Sequence, residues 1–357
     1  MASKSRVCLI YTGGTIGMQR LSDGTLTPPD DPRDFLRVAP ELPKITEFDF
    51  VPLMNKDSTN VHPGDWTEMA KAVYERRLAG YDGFVIAHGT DTMHFSASAL
   101  AFALGPNLDF PVVFTGAQTI PEVSHGDARV NLLRACKVAT TDLAEVVISF
   151  GDYIFRGCRA QKKDERRFDA FESPAFFPLG YITEEIVIQP LAKRRHRQDN
   201  IELRADFVQG VLQVSLIPGL EPELLVPSLE SPLCKGVMLQ SFGAGNVPHE
   251  KPYAFTEFVR QARALNKPVT IASQFPANAT LHTAYEPGRA AVQAGAIPTG
   301  NMTSSCAAAK FRWVLAQVER EIREGAVSES QRLDRVAKMM QTVYVGEMDV
   351  PTERIRP

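Results

Sequence analysis

Two stretches set hydroxyls and a carboxylate beside glycines: Thr12-Gly13-Gly14-Thr15 and His88-Gly89-Thr90-Asp91. The apolar run Val7 to Tyr11 reads as a buried strand that stops at two glycines. There the backbone can turn tightly or approach a ligand without a Cβ in the way. A threonine held on such a turn has the chemistry of a nucleophile, with backbone N–H groups near enough to receive an oxyanion. Taken alone, a Gly-Gly pair more often just links a strand to a loop. Thr15 therefore needs a base, a proton path and a substrate cradle from elsewhere in the chain. Thr90 and Asp91 offer a hydroxyl to relay a proton and a carboxylate to hold an ammonium group; the alternative for Asp91 is a helix cap. Asp57-Ser58-Thr59 offers further polar groups, or a simple turn. In Arg156-Gly-Cys-Arg-Ala-Gln-Lys162, a lysine drawn toward a carboxylate suits proton transfer. The alternative is a solvated charge run from Lys162 to Arg167, and the chemistry alone does not separate Lys162 from Lys163.

The elements that must position these groups alternate. Strand-like runs at 48–54, 84–87, 111–115 and 146–150 are interleaved with helical patterns at 63–78, 96–104 and 127–139. Their continuous apolarity, without period-two alternation, predicts an α/β domain with a covered, largely parallel sheet. Ligands in such sheets sit beyond the carboxyl ends of the strands, and both glycine-threonine stretches fall at such ends. Residues 18–34, rich in Gly, Asp, Thr and Pro, read as a long polar loop able to act as a lid. Residues 190–208 read as a linker whose basic run, Lys193 to Arg197, is solvated. Strands at 210–217, 236–241 and 268–273 follow, with helices at 255–265, 307–324 and 333–340. The expected organisation is two α/β domains. The larger, 1–189, has a mostly parallel sheet flanked by helices, and a smaller parallel α/β domain spans 209–357.

The chain has 357 residues and 44% hydrophobic content, enough for a large core. Its net charge of −3 supplies no global basic field for nucleic acid. No apolar run approaches the ~20 residues that span a bilayer, and the first residues show no signal-peptide pattern. Five widely spaced cysteines without CxxC spacing read as reduced thiols, giving a cytoplasmic expectation. Seven histidines lack metal-ligand spacing, so neither a metal nor any other cofactor is expected. His88 reads as a satisfied core histidine. Serine-hydrolase elbow and phosphate-loop motifs are absent from the sequence.

Tyr11 to Met18, paired with His88 to Met93, resembles the double signature of bacterial-type L-asparaginases, most closely the cytoplasmic type I subgroup. Pro52 to Asn55, Tyr81 to Ile86, Asp127 with Asn131, Phe155 to Arg159, Phe168 to Pro174 and Phe242 to Pro248 extend the similarity over nearly the whole chain. The resemblance implies hydrolysis of L-asparagine to L-aspartate and ammonia through a covalent acyl-enzyme. It implies Thr15 as nucleophile, with Thr90, Asp91 and Lys162 handling protons. Gly14, Asp57, Ser58, Thr59, Gly89, Thr90 and Asp91 would form the substrate site. Asn246 would approach the site of a neighbouring subunit in a homodimer or homotetramer.

The sequence departs from the family in two places. Many relatives carry a lid tyrosine where Thr25 stands, and asparagine-regulated relatives carry a cysteine where Phe275 stands. Threonine has neither the reach nor the acidity of a phenol, so either Tyr11, another lid residue or water substitutes, or the Lys–Asp–Thr route suffices, or activity is low. Three other functions share this core: an ammonia-producing subunit of a tRNA amidotransferase, a non-catalytic amino-acid sensor, and a bifunctional lipid hydrolase. The first and third are expected to carry an additional domain.

Overall fold

In the computed structural model, residues 5–196, 200–275 and 285–349 are described; three residues of the expected linker, 197–199, fall outside them. The chain divides into two compact units, Met1–Ala205 and Asp206–Pro357.

The sheet of the first unit runs, in spatial order, Ile186–Ile188, Gly180–Ile182, Tyr153–Arg156, Val146–Phe150, Val112–Thr115, Gly83–Ala87, Arg6–Gly13 and Glu47–Lys56. The last five of these strands pair in parallel. Val7 to Tyr11 and Phe84 to Ala87 are almost fully buried, because helices cover both faces of a parallel sheet. The helix Pro63–Arg76 starts at His62, whose Nδ1 accepts from the Gly64 N–H while Asp65 accepts from the His62 N–H. This reciprocal cap satisfies donors that a helix start otherwise leaves unpaired. The helix Met93–Leu104 is apolar or small on every side and is buried throughout except at Phe95.

The second unit is a parallel sheet in the order Val211–Ser215, Gly236–Ser241, Val269–Ser273 and Ile297–Pro298. It packs with the helices Phe255–Ala264 and Ser304–Arg323. Two α/β units, the first larger with a mostly parallel sheet and the second with a parallel one, agree with the expected fold class.

Three local expectations change. Residues 18–34 are not one irregular loop: Gln19–Arg20 pairs antiparallel with Leu26–Thr27 around a turn at Asp23-Gly24. Gly24 takes φ +87°, and Asp23 Oδ1 accepts from the Thr25 N–H at 2.9 Å. The edge of the large sheet is antiparallel and built from short strands, which are too brief to leave a periodic signal. The described part of 190–208 is held in place. The Lys193 carbonyl accepts from the Ala144 N–H, the Lys193 N–H donates to Glu145, and Ala192, Ile201 and Ala205 are buried.

One buried ion pair pins the chain beyond the last sheet strand. Lys310 Nζ donates to Glu347 Oε1 at 2.6 Å and to the carbonyls of Met340 and Thr342, and both charged side chains are fully buried. Lys310→Met leaves Glu347 charged and buried without its partner, a situation that costs about 3–5 kcal/mol. Urea denaturation is expected to show a loss of that size; a change under about 1 kcal/mol would mean the pair contributes nothing.

Candidate active site

Glycine packing brings the first two motifs together. Gly13 and Gly14 have φ of +107° and +88°, which L side chains rarely adopt. A Cβ on Gly13 would strike the Lys56 backbone, and one on Gly14 would strike the backbone of Gly89. A Cβ on Gly89 would in turn stand 2.6 Å from Ser58 Oγ. Three strand ends therefore meet at bare backbone, with Thr15, Thr90 and Ser58 beside the junction. Gly14→Ala must push the turn away from Gly89. A misplacement of about 1 Å near reacting groups costs on the order of 10²-fold. We expect that loss in kcat/KM from a folded variant; an unchanged value would show the close approach to be dispensable.

The two threonines of the first motif differ. Thr12 is buried and its hydroxyl donates to the Ala87 carbonyl at 2.8 Å, tying adjacent strands together. Thr15 opens a short 3₁₀ turn, Thr15–Gly17, is partly exposed, and its hydroxyl has no hydrogen-bond partner among the described residues.

Around the second motif, Lys162 Nζ donates to Thr90 Oγ1 at 2.8 Å and to Asp91 Oδ1 at 2.6 Å. Asp91 is not the cap of the following helix: the N-cap is Thr92, which makes no side-chain cap bond. Lys162 sits in the strand Gln161–Lys162, paired with Phe171–Glu172, and its side chain is 13% exposed. Lys163, the next residue, pairs instead with exposed Asp169. Alternation along a strand points neighbouring side chains in opposite directions, and that separates the two lysines.

The third motif splits. Ser58 is buried against Gly89, and its carbonyl accepts from Thr92 Oγ1. Asp57 Oδ1 caps the turn, accepting from both the N–H and the hydroxyl of exposed Thr59. Asn246 belongs to the second unit, in a turn where Phe242 and Asn246 exchange backbone hydrogen bonds.

The sequence reading did not single out Gln118. Its Oε1 accepts from Thr90 Oγ1 at 3.0 Å, while its Nε2 donates to the Asp164 and Arg167 carbonyls, which sets the amide's orientation. Asp127 holds that segment by accepting from the backbone N–H groups of Gln118 and Thr119. Nothing in the local pattern of a loop glutamine marks such a role.

His88 is the expected core histidine. Nδ1–H donates to the Gly89 carbonyl at 2.7 Å, so neutral Nε2 accepts from Ser96 Oγ, which itself accepts from the Trp66 indole. Burial holds His88 down to about 4, and burial together with the Lys162 charge holds His94 to about 4. Folded, these rings gain a proton only near that value; unfolded, they gain it near 6.5. Their contribution to stability is thus complete above about pH 6.5 and is lost as pH falls through about 4, up to about 3 kcal/mol each. The His94 ring packs on Phe95 and Phe171, and its Nδ1 is buried without a hydrogen bond. His94→Phe is therefore expected to flatten the fall in urea midpoint between pH 7 and pH 5. An unchanged slope would assign that fall to other groups.

Tyr11 is poorly suited to stand in for a lid phenol. It is fully buried, donates to Asn55 Oδ1 at 3.1 Å, and burial pushes its hydroxyl up to about 12. Thr25 lies at the exposed tip of the hairpin. Among the described residues no His, Cys, Asp and Glu cluster is placed to hold a metal ion. No helix there is long and apolar enough to cross a membrane.

A glycine seam, Gly14 against Gly89, has Thr15 next in chain on one side and the Thr90–Lys162–Asp91 group on the other. The family model for the asparaginase N-terminal domain matches residues 6–193, and that for the glutaminase/asparaginase C-terminal domain matches 210–324. This chain belongs to the asparaginase family. It is an amidohydrolase. L-asparaginase 1 of Escherichia coli is 32% identical over 92% of this asparaginase-family chain and 97% of its own. A glutamyl-tRNA(Gln) amidotransferase subunit of Methanothermobacter thermautotrophicus is also 32% identical, over 88% of this chain and 72% of its own. The thermostable L-asparaginase from Thermococcus kodakarensis superposes with a TM-score of 0.82 at 29% identity, covering 97% of this chain and all of that one.

Proposed function

We propose that this amidohydrolase hydrolyses L-asparagine to L-aspartate and ammonia with Thr15 as nucleophile. The observation that supports the reading is the Thr90–Lys162–Asp91 hydrogen-bonded group, together with the close backbone approach of Gly14, next to Thr15, to Gly89, next to Thr90. The substrate carboxylate and ammonium are held by Ser58 and Asp91, with Gly14, Asp57, Thr59 and the 89–91 turn lining the pocket. Such clamping turns a chance encounter into a positioned one, worth up to about 7 kcal/mol of the barrier.

Thr15 Oγ bonds to the amide carbon, and backbone N–H donors receive the developing oxyanion. The C–N bond then breaks, and the departing nitrogen takes a proton relayed from Thr15, leaving as ammonia. Water adds to the acyl-enzyme, the ester bond to Thr15 breaks, and L-aspartate is released. Without a tyrosine at position 25, and with Tyr11 bonded to Asn55, we assign the proton movement to the Thr90–Lys162–Asp91 group, with Gln118 accepting from the Thr90 hydroxyl. No step calls for a metal or cofactor.

We further propose a cytoplasmic homodimer or homotetramer in which Asn246 approaches a neighbouring subunit's site. The domain limits 1–189, 190–208 and 209–357 remain our assignment. Ammonia release measured with L-asparagine, D-asparagine and L-glutamine tests the reading. L-Asparagine is expected to be the best substrate by at least about tenfold. Heat of asparagine binding without ammonia would replace the enzyme by a sensor, and a preference for L-glutamine would favour the amidotransferase-like role.

A further inference from the structure

A cavity of about 440 Å³ opens in the second unit, lined by residues that play no part in the Thr15 group. Four cations line it: Lys235, Lys267, Arg323 and Arg332, against two carboxylates, Glu319 and Glu329. Lys235 directly precedes the strand Gly236–Ser241, and Lys267 stands two residues before Val269–Ser273. The cavity therefore sits at the amino ends of these parallel strands, the end opposite to where α/β sheets hold substrates. Arg323 ends the helix Ser304–Arg323, and Arg332 begins the helix Arg332–Gln341.

The two carboxylates offset only part of the positive charge. Arg332 is only 7% exposed, donates to the Asn266 carbonyl at 2.6 Å, and makes one long ion pair, with Glu319 at 3.9 Å. Lys267 Nζ is turned to neutral acceptors, the carbonyls of Leu229 and Ser231. Glu329 accepts from the Asn266 amide at 2.7 Å. Lys235 and Arg323 are exposed and make no ion pair or side-chain hydrogen bond among the described residues. A buried guanidinium whose single ion pair is long and not hydrogen-bonded is incompletely compensated. An entering anion with several oxygen acceptors offsets that cost, and guanidinium forks match such oxygens in pairs.

We infer that this cavity is a binding site for a compact dianion carrying oxygen acceptors, held by Arg332 and Lys267 within and by Lys235 and Arg323 at the mouth. Phosphate and dicarboxylates share that chemistry. The excess of two positive charges selects a dianion over chloride. The inference stands apart from the substrate reading, since none of its residues belongs to the proposed reaction.

Titration calorimetry of the full chain at constant ionic strength tests it, with sodium phosphate and sodium succinate as separate probes and sodium chloride as reference. The paired variant K235A/R323A removes only exposed side chains and is expected to keep the parent urea midpoint and the parent ammonia release. One or both probes should bind the parent with a component whose Kd rises at least tenfold in the variant. Lys235→Arg should retain that component. Phosphate alone points to an inorganic or esterified phosphate, and succinate alone to a dicarboxylate. Any succinate bound at the proposed active site persists in the variant and is thereby told apart. Neither probe binding beyond chloride, or both binding the variant as tightly as the parent, overturns the inference.

Discussion

Thr15→Ala is expected to fold like the parent and to release ammonia from L-asparagine on the order of 10⁴-fold more slowly, the scale of removing a catalytic nucleophile. Thr15 is partly exposed on a short turn, and its hydroxyl holds no other group in place. Deleting it removes little packing and no hydrogen bond among the described residues. Thr15→Val, which keeps the branched shape, should be just as inactive, which excludes a packing effect. Thr12 supplies the contrast. Its hydroxyl ties strand to strand through the Ala87 carbonyl, so Thr12→Val should cost about 1 kcal/mol in stability and leave the chemistry largely intact. Steady-state turnover with a urea midpoint for each variant separates the two cases. Turnover above about a tenth of the parent in Thr15→Ala would remove Thr15 from the mechanism.

Lys162→Ala should lower kcat by about 10²–10⁴-fold, the range of a positioned proton-transfer group, while Lys163→Ala stays within about twofold. Lys162 Nζ joins Thr90 Oγ1 to Asp91 Oδ1 from a nearly buried position. Its neighbour faces Asp169, and that pair is half-exposed, so its loss is screened by solvent. Lys162→Arg should rescue poorly, since a planar fork cannot present the single donor point that touches both partners. A similar loss for both lysines would mean the charge run acts as a whole, and the local alternation would then explain nothing.

Much of the fold was legible because long apolar runs in covered parallel strands leave an unmistakable pattern. Val7 to Tyr11, Phe84 to Ala87 and Val146 to Phe150 are buried as that pattern requires. The antiparallel edge, the hairpin at 19–27, the helix Glu286–Gln293 and the strand Ile297–Pro298 were not legible. Most are only two or three residues long, or take their shape from a turn and a neighbour rather than from their own periodicity. The contacts made by residues 190–208 were not legible for a related reason. Polar residues there find partners far off in sequence, such as Glu145 for Lys193, and composition carries no record of such pairings.

Gly13 and Gly14 next to Thr15, and Gly89 next to Thr90 and Asp91, were determined by the sequence alone: which residues can do chemistry, and that each group ends a strand. Family resemblance also pointed to Lys162, although local chemistry left it level with Lys163. Only the tertiary structure decided which of these groups meet. Gly14 touches Gly89 across strands about seventy positions apart, and Lys162 reaches back over a similar span to Thr90 and Asp91. It also engaged Thr12 and Tyr11 elsewhere, released Asp91 from capping, and brought in Gln118. The physical reason is that a hydrogen bond depends on ångström distances, and chain neighbours alone do not set the distance between strand ends.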